Sequence, residues 1–135
     1  MEFQRDSFRI TDDKAAADVD FIVAALQSTY WAADRPRAVI EQSLEHSVLL
    51  SLLDGEEQVG FVRVVTDYVT FAWICDVYVD PTVRGQGLGV WLMECLQAHP
   101  AAQVGLQLLF TRDAHGLYEK FGFQRREAMY KRRAY

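Results

Sequence analysis

The sequence predicts an α+β domain, or equally a mixed-sheet α/β domain, and three observations lead to this fold class. Three strand-like segments follow one another between residues 47 and 79, which is typical of an antiparallel meander. A glycine-rich turn then leads into an amphipathic helix and a further strand, and such a β-α-β crossover joins parallel neighbours. The length of 135 residues and the hydrophobic content of 50% suit a single domain, residues 1–135, with a sizeable core.

The N-terminal third of the chain predicts one strand and two helices. Residues 8–10 are strand-like, and the capping side chains of residues 11–13 precede a helical apolar periodicity over residues 15–26. A break at residues 30–35 is followed by Pro36, which suits the first turn of a second, short helix. The apolar positions of that helix are Val39, Ile40 and Leu44.

The middle of the chain predicts the meander. Residues 47–53 and 58–66 flank Asp54-Gly55-Glu56-Glu57, which is a hairpin signal, and residues 68–79 supply a third strand. Strict alternation along that third strand places its side chains on two faces. One face would carry Trp73, Cys75, Val77 and Val79, and the other Ile74, Asp76 and Tyr78.

The C-terminal half predicts a helix, a strand, a short helix and a last strand. The glycine-rich turn starts a helix through about Ala98, which Pro100 ends, and residues 104–110 form a strand. Residues 114–121 read as a short helix, and residues 123–135 as a last strand or hairpin.

Charge and composition exclude several classes of protein. With 14 Lys and Arg against 19 Asp and Glu, the net charge of −5 argues against nucleic-acid and anionic-membrane surfaces. Cys75 and Cys95 lack CxxC spacing and lie among apolar residues, which indicates reduced core thiols and a cytoplasmic protein. The three histidines are too scattered to suggest a metal site, and no apolar run is long enough to span a membrane. The sequence leaves monomer and homodimer open.

The segment Arg84-Gly85-Gln86-Gly87-Leu88-Gly89 follows a strand and precedes a helix. Glycines this dense leave backbone N–H groups uncovered at the helix N-terminus, where an anion can bind, and Arg84 adds a guanidinium suited to phosphate oxygens. The spacing fits neither a dinucleotide-binding fingerprint nor a P-loop. An ordinary tight turn with a helix cap is the alternative interpretation.

Two further side chains are candidates for chemistry. Tyr118 lies on the short helix that ends at Gly122; packing of its ring is the alternative to a catalytic role. Asp76 is a single carboxylate within an apolar strand, and such a group is either hydrogen-bonded structurally or tuned as a base.

Together these segments resemble the GNAT superfamily of acyl-CoA-dependent N-acyltransferases. The cofactor motif Arg/Gln-x-x-Gly-x-Gly/Ala is matched by Arg84, Gly87 and Gly89. The downstream pattern Ala-x-x-x-Tyr-x-x-x-Gly-Phe is matched by Ala114, Tyr118, Gly122 and Phe123. The resemblance implies a sheet of about six to seven strands flanked by about four helices. It also implies an N-acetyltransferase, in which an amine attacks acetyl-CoA directly in a ternary complex without a metal.

The resemblance also implies where acetyl-CoA would bind. In the family, the position of Tyr118 belongs to the acid that protonates the departing thiolate. The family has no fixed position for a base, so three roles stay open for Asp76: a base, a ligand for the acceptor's ammonium or a structural residue. Thr111 is expected either to touch the cofactor or to cap the next helix. The pantetheine arm would pair with the backbone of Val77, Tyr78 and Val79, and the pyrophosphate with the amides of Arg84, Gly85, Gln86, Gly87, Leu88 and Gly89.

The resemblance also implies an acceptor cleft, which in this fold is usually framed by the loop between the first two helices, here residues 30–36. The acceptor would be a small-molecule or peptide amine. Tyr30, Trp31 and Asp34 could hold a cationic group of such an acceptor, and Arg35 could hold a carboxylate. The alternative is that Tyr30 and Trp31 close the core and Arg35 pairs with Asp34. A non-catalytic acyl-CoA-binding or interaction module with the same fold is the competing class of function.

Overall fold

A computed structural model describes all residues from 1 to 135, and it contains six strands and four α-helices. The strands are β1 (Glu2–Arg5), β2 (Phe8–Thr11), β3 (Val48–Asp54), β4 (Glu57–Thr66), β5 (Phe71–Val79) and β6 (Leu106–Leu109). The helices are α1 (Val19–Gln27), α2 (Arg37–Glu45), α3 (Leu88–Ala98) and α4 (His115–Glu119), and single 3₁₀ turns lie at residues 14–16, 81–83 and 100–102.

The six strands form one mixed sheet in which spatial order follows chain order, from β1 to β6. Each neighbouring pair is antiparallel except β5 and β6, which are parallel and are joined by the crossover through α3. The predicted fold class is therefore confirmed, with the meander at β3 to β5 and the β-α-β unit after it.

The sheet separates two apolar layers. One layer packs α3 against β2, β3, β4 and β5, with Leu92, Met93 and Leu96 almost completely buried. The other packs α1 and α2 on the opposite face, against Leu49 and Phe61. The sheet is thus covered on both faces, and β5 is available to both layers.

A β-bulge at Cys75 changes the side-chain pattern of β5. Arg63 of β4 is paired with Asp76, but the next residue, Val64, is paired with Ile74, so Cys75 has no cross-strand partner. An extra residue of this kind interrupts the alternation of faces. The predicted strict alternation is therefore wrong at this point: Ile74 shares the α3 layer with Val77, while Asp76 and Tyr78 face the α1 and α2 side.

Strands β5 and β6 separate beyond Ile74 and leave a gap between them. The parallel pairing of β5 with β6 runs from Phe71 to Ile74 and then stops. Beyond the bulge, β5 stays paired with β4 as far as Val79. The second half of β5 therefore has a partner on one side and a cleft on the other.

Three details differ from the sequence-based expectation. Residues 2–11 form a hairpin of two strands rather than one strand, and its turn places Asp6 at a positive φ of 54° where no glycine announced it. Residues 123–135 form no strand, because the charged and exposed residues 124–135 offer few apolar side chains to bury. Cys75 is half-buried rather than part of the core, whereas Cys95 is buried; both are free thiols.

No helix has the length and apolar character needed to cross a membrane.

Gly60 of β4 is expected to be intolerant of a side chain. A Cβ at this position would lie 2.7 Å from the Tyr78 carbonyl oxygen and 3.1 Å from Leu52 Cδ2. The strand backbone at Tyr78 can move away only at a cost in free energy. Gly60→Ala should therefore lower the free energy of unfolding, measured by urea denaturation, by about 1–3 kcal/mol. Gly116→Ala is the matched control, since a Cβ there meets nothing within 4 Å and alanine favours the helix. Equal unfolding midpoints for the two variants would contradict this close approach.

Candidate active site

A cleft of about 1320 Å³ occupies the gap beside the second half of β5. Val77, Tyr78 and Val79 line it, as do the glycine-rich turn through Arg84 and Gly89 and the loop before α4. Tyr118 lines the cleft from α4, and Tyr30, Trp31 and Arg35 line it from the loop between α1 and α2. The structure thus brings together the strand, the turn, the tyrosine and the loop that the sequence analysis singled out.

The turn after β5 is built by local hydrogen bonds. Asp80 Oδ1 accepts from Thr82 N at 2.9 Å and from Thr82 Oγ1 at 2.6 Å, and these bonds hold the pKa of Asp80 below its usual value. Arg84 Nε donates to the Val79 carbonyl at 2.9 Å, which ties the turn back to the strand. The other two guanidinium nitrogens of Arg84 have no protein partner, so they remain able to bind an anion.

The three glycines of the turn leave open space before α3. Gly85 and Gly87 have φ values of 84° and 74°, a left-handed conformation that disfavours a side chain. Gly89 lies inside the first turn of α3 without a positive φ, and a Cβ there would meet nothing within 4 Å. Glycine costs a helix about 1 kcal/mol relative to alanine. Neither backbone strain nor packing explains Gly89, whereas a ligand approaching the helix N-terminus would.

Tyr118 presents an unpaired hydroxyl to the cleft. Its ring packs edge-on against Phe123, with centroids 6.1 Å apart, and it borders the α3 core layer. The hydroxyl makes no hydrogen bond within the protein, and it is not completely shielded from solvent. Burial, followed by the nearby Tyr30 and Asp113, raises the pKa of Tyr118. The phenol is therefore protonated at neutral pH and free to donate.

Asp76 is enclosed by three donors. Trp31 Nε1 donates to Oδ1 at 2.7 Å, Arg63 Nε donates to Oδ2 at 2.7 Å, and Arg35 Nη1 lies 3.2 Å from Oδ2 and 3.4 Å from Oδ1. Both carboxylate oxygens are therefore in use. Among the three roles left open for Asp76, these contacts favour the structural one. The alternative interpretation of the loop predicted that Arg35 pairs with Asp34. In the structure Arg35 pairs with Asp76 instead.

Arg63 is the site residue that the sequence analysis missed. It lies inside the apolar strand β4, its Nη1 donates to Ser47 Oγ at 3.0 Å, and Ser47 in turn donates to the Ser43 carbonyl at 2.6 Å. A single arginine among valines was the available signal. Its pairing with Asp76 depends on the register across the bulge, which the sequence alone does not specify.

Tyr30 and Trp31 have different environments. Tyr30 is 47% exposed, its hydroxyl accepts from Arg112 N at 3.1 Å, and the Arg112 guanidinium lies 3.8 Å from its ring centroid. Trp31 packs against the α1 and α2 core layer and is held by Asp76. Trp31 therefore closes the core, as one interpretation had it, whereas Tyr30 stays at the surface and its ring already carries a cation.

Thr111 lies in the loop before α4. Its Oγ1 accepts from Ala114 N at 3.0 Å, and the residue also lines the cleft, so both expectations for Thr111 stay predictions. The C-terminal segment reaches the same cleft: Tyr130 lies 6.4 Å from Phe110 by ring centroids, and Lys131 to Arg133 add positive charge.

The structure has no group of three or more His, Cys, Asp or Glu side chains placed to hold a metal ion.

Comparison with known proteins gives consistent matches. Residues 45–125 match the family described as "Acetyltransferase (GNAT) domain". "Putative acetyltransferase FG08082" of Gibberella zeae is 32% identical over an alignment of 144 residues, which covers 89% of this chain and 80% of that protein.

Solved structures share the architecture. A Xanthomonas campestris pv. campestris protein, described as "a putative acetyltransferase belonging to the gnat family", superposes with a TM-score of 0.89 at 34% identity and covers 94% of both chains. "A putative acetyltransferase from Deinococcus radiodurans R1" superposes with a TM-score of 0.76 at 22% identity, covering 97% of this chain and 93% of that one. At the lower identity the likeness concerns the fold alone.

Proposed function

Because this chain belongs to the GNAT family of acetyltransferases, we propose that it transfers an acetyl group from acetyl-CoA to the primary amine of a small molecule or peptide. One observation carries the proposal: the free side of β5, the open glycine turn and the unpaired Tyr118 hydroxyl all border one cleft. The two free cysteines suit a reducing compartment such as the cytoplasm, and burial raises the pKa of the Cys95 thiol to about 11.

The residues present fit acetyl-CoA. Val77, Tyr78 and Val79 lie past the last β5–β6 pair, so their backbone can pair with an extended pantetheine arm as a further strand would. The amides from Arg84 to Gly89 and the positive end of α3 suit a pyrophosphate. When bound, acetyl-CoA supplies a thioester carbonyl that an amine can attack.

The chain must also move protons. An alkylamine with a pKa of about 10.4 is mostly protonated at neutral pH, so a proton must leave before the nitrogen can attack. Asp76 accepts from three donors, and we assign it the positioning of Arg35 and Trp31, with the proton leaving through water. Tyr118 donates a proton to the departing sulfur, and a backbone N–H near Val77 or Tyr78 stabilises the developing oxyanion.

A thiol-release assay tests the function. Purified protein with acetyl-CoA is incubated with a panel of polyamines, amino acids, aminoglycosides and peptides, and free CoA is measured against protein-free and amine-free controls. Amine-dependent release, with acetylated amine found by mass spectrometry, is the expected result. Binding of CoA by calorimetry without release on any amine would instead favour the non-catalytic acyl-CoA-binding module.

Gly87→Val is expected to abolish binding of acetyl-CoA. The residue has a φ of 74° and precedes α3, so a branched side chain both strains the turn and fills the space in front of the helix. Gly55→Val is the matched control, because Gly55 has a similar φ of 61° but lies in the turn between β3 and β4 rather than at the N-terminus of α3. In calorimetry, a Kd raised at least about 100-fold for Gly87→Val alone is expected, and equal affinities in both variants would refute the loop assignment.

A further inference from the structure

The Asp76 cluster carries one positive charge more than it neutralises. The side chains of Arg35, Arg63 and Asp76 are 12%, 10% and 0% exposed. Asp76 is the acidic partner of both arginines, and neither arginine has a second carboxylate within 4 Å. Buried charge is costly unless it is compensated. Two guanidinium groups against one carboxylate therefore leave a net charge that an anionic ligand would balance.

Arg35 has the donors to bind that ligand. Only its Nη1 is engaged, with Asp76, while Nε and Nη2 have no protein partner. These two nitrogens are not fully enclosed, since the single fully buried side-chain atom without a partner is Ser51 Oγ. Because Arg35 lines the cleft, its unused donors are reachable from the cleft.

The cleft as a whole selects for anions. Six basic side chains line it against one acidic side chain, Asp113, although the chain has a net charge of −5. Arg84 is bonded to the backbone of Val79 and Arg35 to the side chain of Asp76, so their anchors are three residues apart on β5, or about 10 Å. Arg35 is thus separate from the turn that would hold the pyrophosphate.

The opposite kind of acceptor site, an aromatic cage for an ammonium, fits less well. The Arg112 guanidinium already covers the ring of Tyr30, and the rings of Tyr30 and Trp31 pack edge to face at 5.1 Å between centroids. Asp34 of the loop does not line the cleft, and Asp76 already accepts from three donors. An acceptor bound by its ammonium alone would meet positive charge here.

We propose that the amine acceptor also carries a carboxylate, which binds the free nitrogens of Arg35; this rests on the acetyl transfer proposed above. A guanidinium with two unused nitrogens and a cluster with a net charge of +1 match a monoanionic carboxylate better than a dianionic phosphate. In the reaction, the amine nitrogen forms a bond to the acetyl carbon and the C–S bond breaks. The ammonium first releases one proton to water; after attack the nitrogen loses a second proton and the sulfur gains one, which yields an N-acetylated carboxylate and CoA thiol.

Matched pairs of amines that differ by one carboxylate test this directly. The pairs are lysine and cadaverine, ornithine and putrescine, tyrosine and tyramine, and phenylalanine and 2-phenylethylamine. Phosphoethanolamine and ethanolamine form a phosphate arm. The value of kcat/KM should be at least about tenfold higher for the carboxylate member of the accepted pairs, as expected for a charge-assisted hydrogen bond.

Variants of Arg35 test the residue. In Arg35→Gln and Arg35→Lys the ratio of kcat/KM within a pair should fall toward one, mainly through a rise in KM of the carboxylate member. Arg37→Gln is the matched control, because Arg37 is exposed and pairs with Asp20 and Glu41 outside the cleft. Melting curves of each variant verify folding, and the preference of the unmodified protein needs no variant at all.

The outcomes separate this inference from the proposed function. Equal kcat/KM within the pairs, or a preference confined to the phosphate arm, overturns the carboxylate inference but leaves acetyl transfer intact. Bound acetyl-CoA with transfer to no amine overturns both. A pair ratio that persists in Arg35→Gln assigns the carboxylate to another residue and overturns the role of Arg35.

Discussion

Tyr118→Phe is expected to lower kcat by about 10²–10³-fold while the affinity for acetyl-CoA stays unchanged. Proton donation by a positioned side chain contributes on this scale, and the substitution removes only the hydroxyl. That hydroxyl has no partner in the protein, so its loss leaves no group without a hydrogen bond and the fold should be kept. Steady-state kinetics with calorimetry of CoA binding measure the two quantities.

The pH dependence gives a second readout of the same prediction. Burial raises the pKa of Tyr118 above its usual value of about 10, so the acid form is present throughout neutral and mildly alkaline pH. Deprotonation of the acceptor amine should therefore let kcat rise toward pH 10, without a decline that starts below it. Any alkaline decline caused by Tyr118 must disappear in the phenylalanine variant.

Tyr68→Phe is the control for this substitution, because Tyr68 is exposed in the turn between β4 and β5 and does not line the cleft. Unchanged kcat in Tyr118→Phe across the pH range would exclude the acid role. A weakened affinity for CoA with kcat retained would show instead that the tyrosine orients the cofactor.

Structural features that depend only on neighbouring residues in the chain were predictable from the sequence. The glycine turn depends on a local run from Arg84 to Gly89, and Tyr118 lies on a helix whose end is marked by Gly122, so neither needs tertiary information. The meander of β3 to β5 follows from a hairpin signal at Gly55.

Features that depend on register or on long-range pairing were not predictable. The bulge at Cys75 is a mismatch between two strands, and it decides which face Asp76 and Ile74 occupy. The partnership of Arg63 with Asp76 follows from that mismatch. The turn at Asp6 uses a positive φ at an aspartate, a residue that tolerates this conformation better than most but does not by itself predict it.

Asp76→Asn is expected to lower the free energy of unfolding by about 3–5 kcal/mol, measured by urea denaturation. The carboxylate is the anionic partner of both Arg35 and Arg63, and its neutralisation leaves two guanidinium groups together in a largely buried position. Asp20→Asn is the control, since that carboxylate is exposed and its pair with Arg37 should barely affect the unfolding midpoint.

The general-base and positioning roles of Asp76 make different kinetic predictions. Loss of a general base would mainly lower kcat, whereas loss of a positioning residue mainly raises KM for the acceptor through the displaced Arg35 and Trp31. Stability falls in either case, because both guanidinium groups lose their anionic partner. Arg63→Met supplies the second arm of a double-mutant cycle, because it removes one of the two guanidinium groups that face Asp76. Asp76→Asn should then cost less stability in the Arg63→Met background than alone, since fewer positive charges remain uncompensated. Additive losses of stability would show that the two side chains do not act as a pair, and the role assigned to Asp76 would fail.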